Sequence, residues 1–340
     1  MNKYIVFSLI ILLLSCQPQR RSENVPEYAL QHELLFEDEP LIGKVRSMAL
    51  MNDSIPVLIN SRSAKVFQFL DYKRQEVKDY GDWGQGPDEL LFPSSLFASG
   101  NGAMSFWDVN RRRYSTMQKV EGDTVIRLSH RFDGRDSLFH FEVLPIAGGQ
   151  FVAAGIYKEH RLTLLNRDGS FNKGIGQCPF RDEEESWVSG MIRSEIYQGK
   201  LAASPSGSKL TYALLHADML SFYEVAEDGE VQLKSEHINS YPDYQYNNAV
   251  VSASSPVFYL DVCATERYVY VLYSGRNYKD DQEKAFMGRT IKVYDWNGKP
   301  VKNMHLDVDI KVMCVSSDDK NLYAIAYRPD PVPVLFTLKT

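Results

Sequence analysis

The chain has 340 residues, of which 44% are hydrophobic and 12% aromatic, and its formal net charge is −6 at pH 7. This is the composition of a globular protein with material for a sizeable core. The acidic balance excludes nucleic acid as the expected partner, because phosphate binding needs a concentrated basic face.

The first 15 residues predict a bacterial lipoprotein signal peptide. Lys3 supplies the positive start, and residues 5–14 form an apolar run that is too short for the ~20 residues that span a bilayer. Leu13-Leu14-Ser15 stands directly before Cys16, as in a lipobox. We therefore expect Cys16 to be lipidated and to anchor the protein to a membrane that it does not span. An ordinary secretory signal is the alternative.

Residues 16–26 are polar and contain proline, which predicts the lipidated cysteine and a flexible tether. The folded domain is predicted to cover residues 27–340. Gln17, rather than aspartate, favours the outer membrane of the cell envelope. The residues after Cys16 lack an acidic cluster, which favours the periplasmic face over the cell surface. The remaining cysteines, Cys178, Cys263 and Cys314, are expected to be free thiols rather than a disulfide framework.

A strand followed by a polar turn recurs along the chain, and each copy is preceded by a second hairpin. In the clearest copies the strand is followed by Asp-Gly or Asn-Gly, a hairpin signal that predicts a type I′ turn. The clear copies span residues 162–171, 220–231 and 291–301, and the weaker ones span 66–72, 104–110 and 333–338. The preceding hairpins span residues 47–60, 94–107, 141–157, 201–215, 259–273 and 310–327.

These six units predict an all-β, six-bladed β-propeller of four-stranded blades, at a spacing near the ~40–50 residues of propeller blades. Residues 28–36 are predicted to be a leading strand that pairs with the last blade and closes the ring. Asp182 to Arg193 is predicted to form one short helix, and Lys279 to Gly288 a loop insertion. A pair of packed sheets is the alternative architecture.

Three features together resemble a known family. They are the lipobox, the hairpin motif Val293-Tyr294-Asp295-x-x-Gly298-Lys299, and Gly84-Gln85-Gly86-Pro87-Asp88-Glu89-Leu90 followed by Pro93. The chain resembles the TolB-like six-bladed β-propeller lipoproteins of Bacteroidota over nearly all of its mature length. The resemblance implies a fold and an envelope location, and no catalytic residues to transfer. The Gly84 to Glu89 segment is interpreted as a tight connection between the first two blades.

No linear motif for catalysis, a metal or a cofactor is present. The seven histidines lack metal-ligand spacing, although His140 and Glu142 are predicted to share one face of a strand. No Gly-x-Ser-x-Gly elbow occurs. We therefore predict no metal and no cofactor, and expect that the protein is not an enzyme.

Aligning the innermost strands on their following turns predicts one polar residue per blade at the mouth of the central channel. The candidate ligand-binding residues are Arg46, Glu142, Lys200, Asp261 and Lys311, with Ser94 at the same position of the second blade. Charges of both signs suit a polar ligand such as a sugar or a peptide. The alternatives are that these charges pair with one another, or that an alignment error of one residue reverses their faces.

The predicted function is that of an anchored module that binds or scaffolds an envelope protein or a glycan or peptide ligand. A propeller hydrolase or lyase, lactonase-like or glycan-active, is one alternative, and an accessory or sensor subunit of a nutrient-uptake system is another. The tripeptides at Asp53, Asp123 and Asp136 fit an O-glycosylation acceptor pattern.

Overall fold

The computed structural model describes residues 25–99, 103–119 and 126–338. The predicted signal peptide, the lipidation site Cys16, most of the tether and the tripeptide at Asp123 lie outside these ranges. Strands dominate the described part, in which no helix is both long enough and apolar enough to cross a membrane.

Two short strands, β1 (Glu27–Leu30) and β2 (His32–Leu34), open the fold, and four antiparallel sheets of four strands each follow. Their strands are β3 (Val45–Met51), β4 (Ile55–Asn60), β5 (Phe67–Asp71) and β6 (Glu76–Tyr80); β7 (Pro93–Ala98), β8 (Met104–Asp108), β9 (Arg113–Lys119) and β10 (Ile126–Asp133); β11 (Phe139–Pro145), β12 (Phe151–Ile156), β13 (Leu162–Leu165) and β14 (Phe171–Ile175); β15 (Gly199–Ala203), β16 (Lys209–Leu214), β17 (Met219–Val225) and β18 (Val231–Ile238).

The rest of the chain forms a small hairpin and six further strands, which join β1 and β2 in one larger sheet of eight strands. The strands are β19 (Tyr244–Gln245) and β20 (Val250–Val251) in the hairpin, then β21 (Tyr259–Ala264), β22 (Tyr268–Tyr273), β23 (Gly288–Asp295), β24 (Pro300–Val315), β25 (Asn321–Tyr327) and β26 (Pro331–Thr337). The first part of β24 pairs with β23, and its last part, from Ile310, pairs with β25. One 16-residue strand therefore serves two neighbouring units.

The innermost strands form a closed ring. Strands β3, β7, β11, β15, β21 and β24 each contact the next, and β24 contacts β3. Strand β2 pairs with β26, which joins the start of the chain to its end, while β1 lies parallel to β24. The predicted all-β propeller with four-stranded blades is thus confirmed, and the alternative of two packed sheets is wrong.

The outer hairpins form where the sequence predicts them, but with a different turn. Gly169, Gly229 and Gly298 have positive φ, whereas the Asp or Asn before each of them does not, so the turns are not type I′. In each hairpin the glycine N–H donates to the carbonyl of the residue three positions earlier, and the N–H of that earlier residue donates to the carbonyl of the residue after the glycine. This is the longer loop in which a single left-handed glycine completes a bulge.

The helices are short and lie in connections: α1 (Glu183–Ser186), α2 (Gly190–Ile196), α3 (Tyr278–Asp281) and the 3₁₀ turns Ala147–Gly149 and Gln282–Phe286. The single helix predicted over residues 182–193 is two helices. The Asp182 carboxylate caps the first by accepting from the Glu185 N–H, and Trp187 ends it. The sheets bury apolar residues on both faces. The hydrophobic core is therefore divided among the spaces between neighbouring sheets.

The glycine-rich segment between β6 and β7 is a loop held by internal hydrogen bonds and by Arg111 from the turn after β8. The Gly86 N–H donates to the Glu89 carboxylate at 2.6 Å, and the Arg111 guanidinium donates to the carbonyls of Gly84 and Gly86. Gly84 has a φ of 152°, which residues with a side chain rarely adopt, so this position favours glycine. The connection between the first two sheets is therefore held by Arg111, which is half-buried.

Candidate functional site

A cavity of about 430 Å³ occupies the channel inside the ring of inner strands. Its walls come from β3, β7, β11, β15, β21 and β24, and Asn52, Ser99, Pro205, Thr265 and Ser317 line it from the turns that follow five of these strands. The cavity therefore lies at the end of the channel where the inner strands finish. Its size is that of a site for a small molecule.

In most of the inner strands a β-bulge decides which side chains face this cavity. In four of these strands the pairing register skips one residue: Arg46 in β3, Phe141 in β11, Leu260 in β21 and Lys311 in β24. The residue after the skipped one is Ser47, Glu142, Asp261 or Val312. Because side chains alternate between faces, one extra residue changes the face of every side chain beyond it.

Glu142 and Lys200 form an ion pair inside the channel. The Lys200 Nζ donates to Glu142 Oε1 at 3.0 Å, and the Leu201 N–H donates to Oε2 at 2.8 Å. The Glu142 side chain is 8% exposed, whereas that of Lys200 is 37% exposed and lines the cavity. The Glu142 carboxylate raises the pKa of Lys200, which keeps the ammonium charged.

Asp261 is the second carboxylate of this wall. Its Oδ2 accepts from the Met313 N–H at 2.8 Å. Burial raises the pKa of Asp261 from 3.8 to about 6, although the Lys200 ammonium acts in the opposite direction. A carboxyl group with a pKa near neutrality is suited to exchange protons with a bound molecule.

The same bond between neighbouring blades recurs around the channel. Side chains of Ser47, Glu142 and Asp261 accept from the N–H groups of Leu96, Leu201 and Met313. Each acceptor is on one inner strand, and each donor is on the next. The three acceptors therefore hold equivalent positions, and Ser95, Lys200 and Val312, which precede the donors, are equivalent to one another.

The structure brings together three of the five predicted site residues. Glu142, Lys200 and Asp261 all line the cavity. Arg46 instead donates to the Pro93 carbonyl at 3.2 Å and lies over the Phe92 ring, and Lys311 lies over the Tyr327 ring. Both are the skipped residues of their bulges, so the alignment is off by one in these two strands.

In the second inner strand, the predicted Ser94 is a structural residue. Its hydroxyl donates to the carbonyls of Trp107 and Phe141, and Ser95 lines the cavity in its place. Sequence reasoning missed Ser47 and Ser95, although each stands next to an aligned position. The signal that could have found them is the alternation of faces, counted separately for a strand with a bulge.

The predicted shared face of His140 and Glu142 is wrong, because the bulge at Phe141 separates them. His140 is buried and contacts the Tyr157 hydroxyl and the Asp136 carboxylate through its two ring nitrogens. Among the residues that the structure describes, no cluster of three potential metal ligands occurs. The described cysteines, Cys178, Cys263 and Cys314, are free thiols, and Cys263 and Cys314 line the cavity.

Solved structures with a similar fold come from several bacteria. A gluconolactonase of Xanthomonas campestris has 11% identity and a TM-score of 0.53, with 90% of this chain and 89% of that chain covered. Regucalcin of Agrobacterium tumefaciens, a calcium-binding protein, has 8% identity and a TM-score of 0.53, with 92% and 95% covered. A protein of Bacteroides fragilis named as exported has 14% identity and a TM-score of 0.56, with 92% and 99% covered. No curated protein matches the sequence.

These neighbours contradict the prediction that the protein is not an enzyme. The shared fold is one that carries gluconolactonases, and at 8–14% identity the likeness is one of fold. The prediction rested on the lack of a linear catalytic motif. In a propeller the residues that face the channel come from separate inner strands, as Glu142, Lys200 and Asp261 do here. A catalytic site built in this way would leave no linear motif.

The family model described as TolB-like 6-blade propeller-like matches residues 46–318. This match covers every inner strand up to the end of β24, including all residues of the cavity wall. The chain therefore belongs to the TolB-like six-bladed propeller family.

Proposed function

We propose that the central channel of this protein binds a small polar ligand, and that Glu142, Lys200 and Asp261 form the charged part of its wall. The observation that carries the proposal is that these three groups, from three successive inner strands, face one cavity of about 430 Å³. Buried charges are costly unless they are paired or serve a function. Here the Lys200 side chain remains 37% exposed within the channel.

Binding is tested by thermal unfolding of the protein with a panel of sugars, peptides and divalent metal ions, with EDTA as the control for the metals. A ligand at a hundredfold excess over its Kd stabilises the folded state by about 2.7 kcal/mol. The shift should disappear in Lys200→Met and persist in Lys234→Met, which removes an exposed lysine of β18. A shift that is equal in both variants places the ligand elsewhere and contradicts the proposal.

Ester or lactone hydrolysis is a second candidate for the same channel. The specific observation is that the pKa of Asp261 is raised to about 6, which suits a general base near neutral pH. Asp261 would take a proton from the water molecule that attacks the carbonyl carbon, and the Lys200 ammonium would stabilise the oxyanion. When the oxyanion collapses and the bond from the carbonyl carbon to the ring oxygen breaks, the protonated Asp261 would give its proton to that oxygen, which leaves as an alcohol. Gluconolactone hydrolysis above the spontaneous rate should fall at least a hundredfold in Asp261→Asn. An unchanged rate in this variant rules the mechanism out.

We further propose that the ring has six blades and is anchored in the envelope. The eight-stranded sheet would then contain two blades that share β24. The signal pattern of residues 1–15 and Cys16 supports this anchor. The proposed position of the protein is the periplasmic face of the outer membrane. Labelling of cells with radioactive palmitate should mark the wild-type protein and leave Cys16→Ala unlabelled. Label retained in Cys16→Ala excludes this anchor.

A further inference from the structure

Ser95 has a backbone conformation that serines rarely adopt. Its φ is 41°, and it lies in β7 where the pairing register shifts between Ser94 and Phe97. A positive φ at a residue other than glycine is strained and persists only where the surroundings impose it. Such outliers concentrate at functional sites, so the contacts of this side chain are informative.

The Ser95 hydroxyl is buried and has no hydrogen-bond partner among the described residues. The residue is 9% exposed and lines the cavity. The adjacent Ser94 hydroxyl, by contrast, donates to two carbonyls. A buried hydroxyl without a partner destabilises the folded state. Because the Ser95 oxygen itself is closed to solvent, a bound molecule supplies the missing partner once the side chain rotates about χ1 toward the cavity that the residue lines.

The position of Ser95 in its strand is that of Lys200, two blades further along the ring. Each precedes a leucine, Leu96 or Leu201, whose N–H donates to the preceding blade's side chain. Lys200 has an anionic partner in Glu142, whereas the corresponding residue before Ser95 is the neutral Ser47. The polar groups of the wall from β3 and β7 are therefore the two hydroxyls of Ser47 and Ser95, which lie among apolar side chains, and the wall from β11, β15 and β21 carries charges.

The charged groups of the cavity are already engaged. Glu142 uses both carboxylate oxygens, on Lys200 and on the Leu201 N–H. Asp53, near the mouth, accepts from the backbone and the hydroxyl of Ser317. Since three carboxylates and one ammonium line the cavity, an anionic ligand meets repulsion. A cationic ligand beside Glu142 or Asp261 meets the Lys200 ammonium, which interacts with both carboxylates.

We propose that Ser95 is a ligand-contacting residue of the channel and that the ligand is an uncharged, polyhydroxylated molecule of mono- or disaccharide size. This inference rests on the proposed function of the channel. The hydroxyl groups of such a ligand donate to and accept from the Ser95 hydroxyl, and other hydroxyl groups of the ligand can reach the carboxylates on the opposite wall. A neutral polyol meets the hydroxyls of Ser47 and Ser95 without displacing the Glu142–Lys200 pair.

The test is titration calorimetry of the protein with neutral mono- and disaccharides and with their uronic acid and amino sugar counterparts. The neutral compounds should bind more tightly than either charged form. Ser95→Ala should weaken binding about tenfold, as expected for the loss of one hydrogen bond. Ser95→Gly should weaken it equally while raising the melting temperature, because glycine adopts positive φ without strain. Ser94→Ala is the matched control and should keep the wild-type affinity.

Three results overturn the inference. Binding unchanged within twofold in both Ser95 variants, together with loss of binding in Asp261→Asn, removes Ser95 from the site but leaves the channel proposal intact. Tighter binding of a uronic acid or amino sugar, or binding of a peptide alone, shows that the ligand class is wrong. Failure of every sugar, peptide and metal to bind refutes the proposed function, and with it this inference.

Discussion

The charge on Asp261 should make the stability of this protein depend on pH in a direction opposite to that of most carboxylates. Burial raises its pKa in the folded state to about 6 from 3.8. Below the lower value the group is protonated in both states, and its contribution to stability is fully present. As the pH rises through 6, the folded state has to keep a carboxylate in a desolvated channel, and that contribution is lost.

The size of the effect follows from the shift. Two pKa units correspond to roughly 3 kcal/mol, since one unit is about 1.4 kcal/mol. The side chain borders a cavity that water can enter, so we expect about 1–3 kcal/mol. Asp261→Asn removes the charge and keeps an oxygen that can accept from the Met313 N–H. The variant should be more stable than wild type by this amount at pH 8 and nearly equal to it at pH 4.

Urea unfolding at pH 4, 6 and 8 measures the difference directly, provided that both proteins show a single cooperative transition. Asp38→Asn, in an exposed loop, is the matched control and should change stability by less than about 0.5 kcal/mol at each pH. The reasoning is refuted if Asp261→Asn is less stable than wild type at pH 8, or if its effect is the same at all three values.

Three further perturbations test the rest of the structure. Glu142→Gln leaves the Lys200 ammonium without its anion and should lower the free energy of unfolding by about 2–3 kcal/mol, measured in urea. Adding Lys200→Met should recover part of this loss. If the effects of the two substitutions on the free energy of unfolding simply add, the pairing is contradicted. Arg111→Ala should speed proteolysis within residues 84–90, and Arg74→Ala, an exposed control, should not. Leu35→Pro, directly after β2, should remove the bond from the Leu35 N–H to the Pro333 carbonyl of β26 and lower the melting temperature, whereas unchanged melting would exclude a role of this pairing in ring closure.

The blades could be predicted from the sequence because their signals are local. Alternating strands and the Asp-Gly or Asn-Gly turns at Gly169, Gly229 and Gly298 are each readable within about ten residues. Strand β24 could not be predicted in the same way. It runs from Pro300 to Val315 without a turn, so nothing local marks where one unit ends and the next begins.

The candidate site depends on packing between blades, which explains why only part of it could be predicted. Counting back from the turns finds Glu142 and Asp261 because the extra residue of each bulge precedes them. The same count selects Arg46 and Lys311, which are the extra residues themselves. A bulge is stabilised by contacts with the neighbouring inner strand, and a single strand's sequence does not contain them.

The most direct test of the central claim uses Cys263, which lines the cavity and is only partly exposed. Its rate of modification by a small neutral thiol reagent can be followed by peptide mass spectrometry, which resolves it from the other cysteines. We expect a sugar that raises the melting temperature to slow modification of Cys263 at least tenfold at saturation. A sugar that stabilises the protein while Cys263 reacts at its original rate would show that the ligand lies outside the channel.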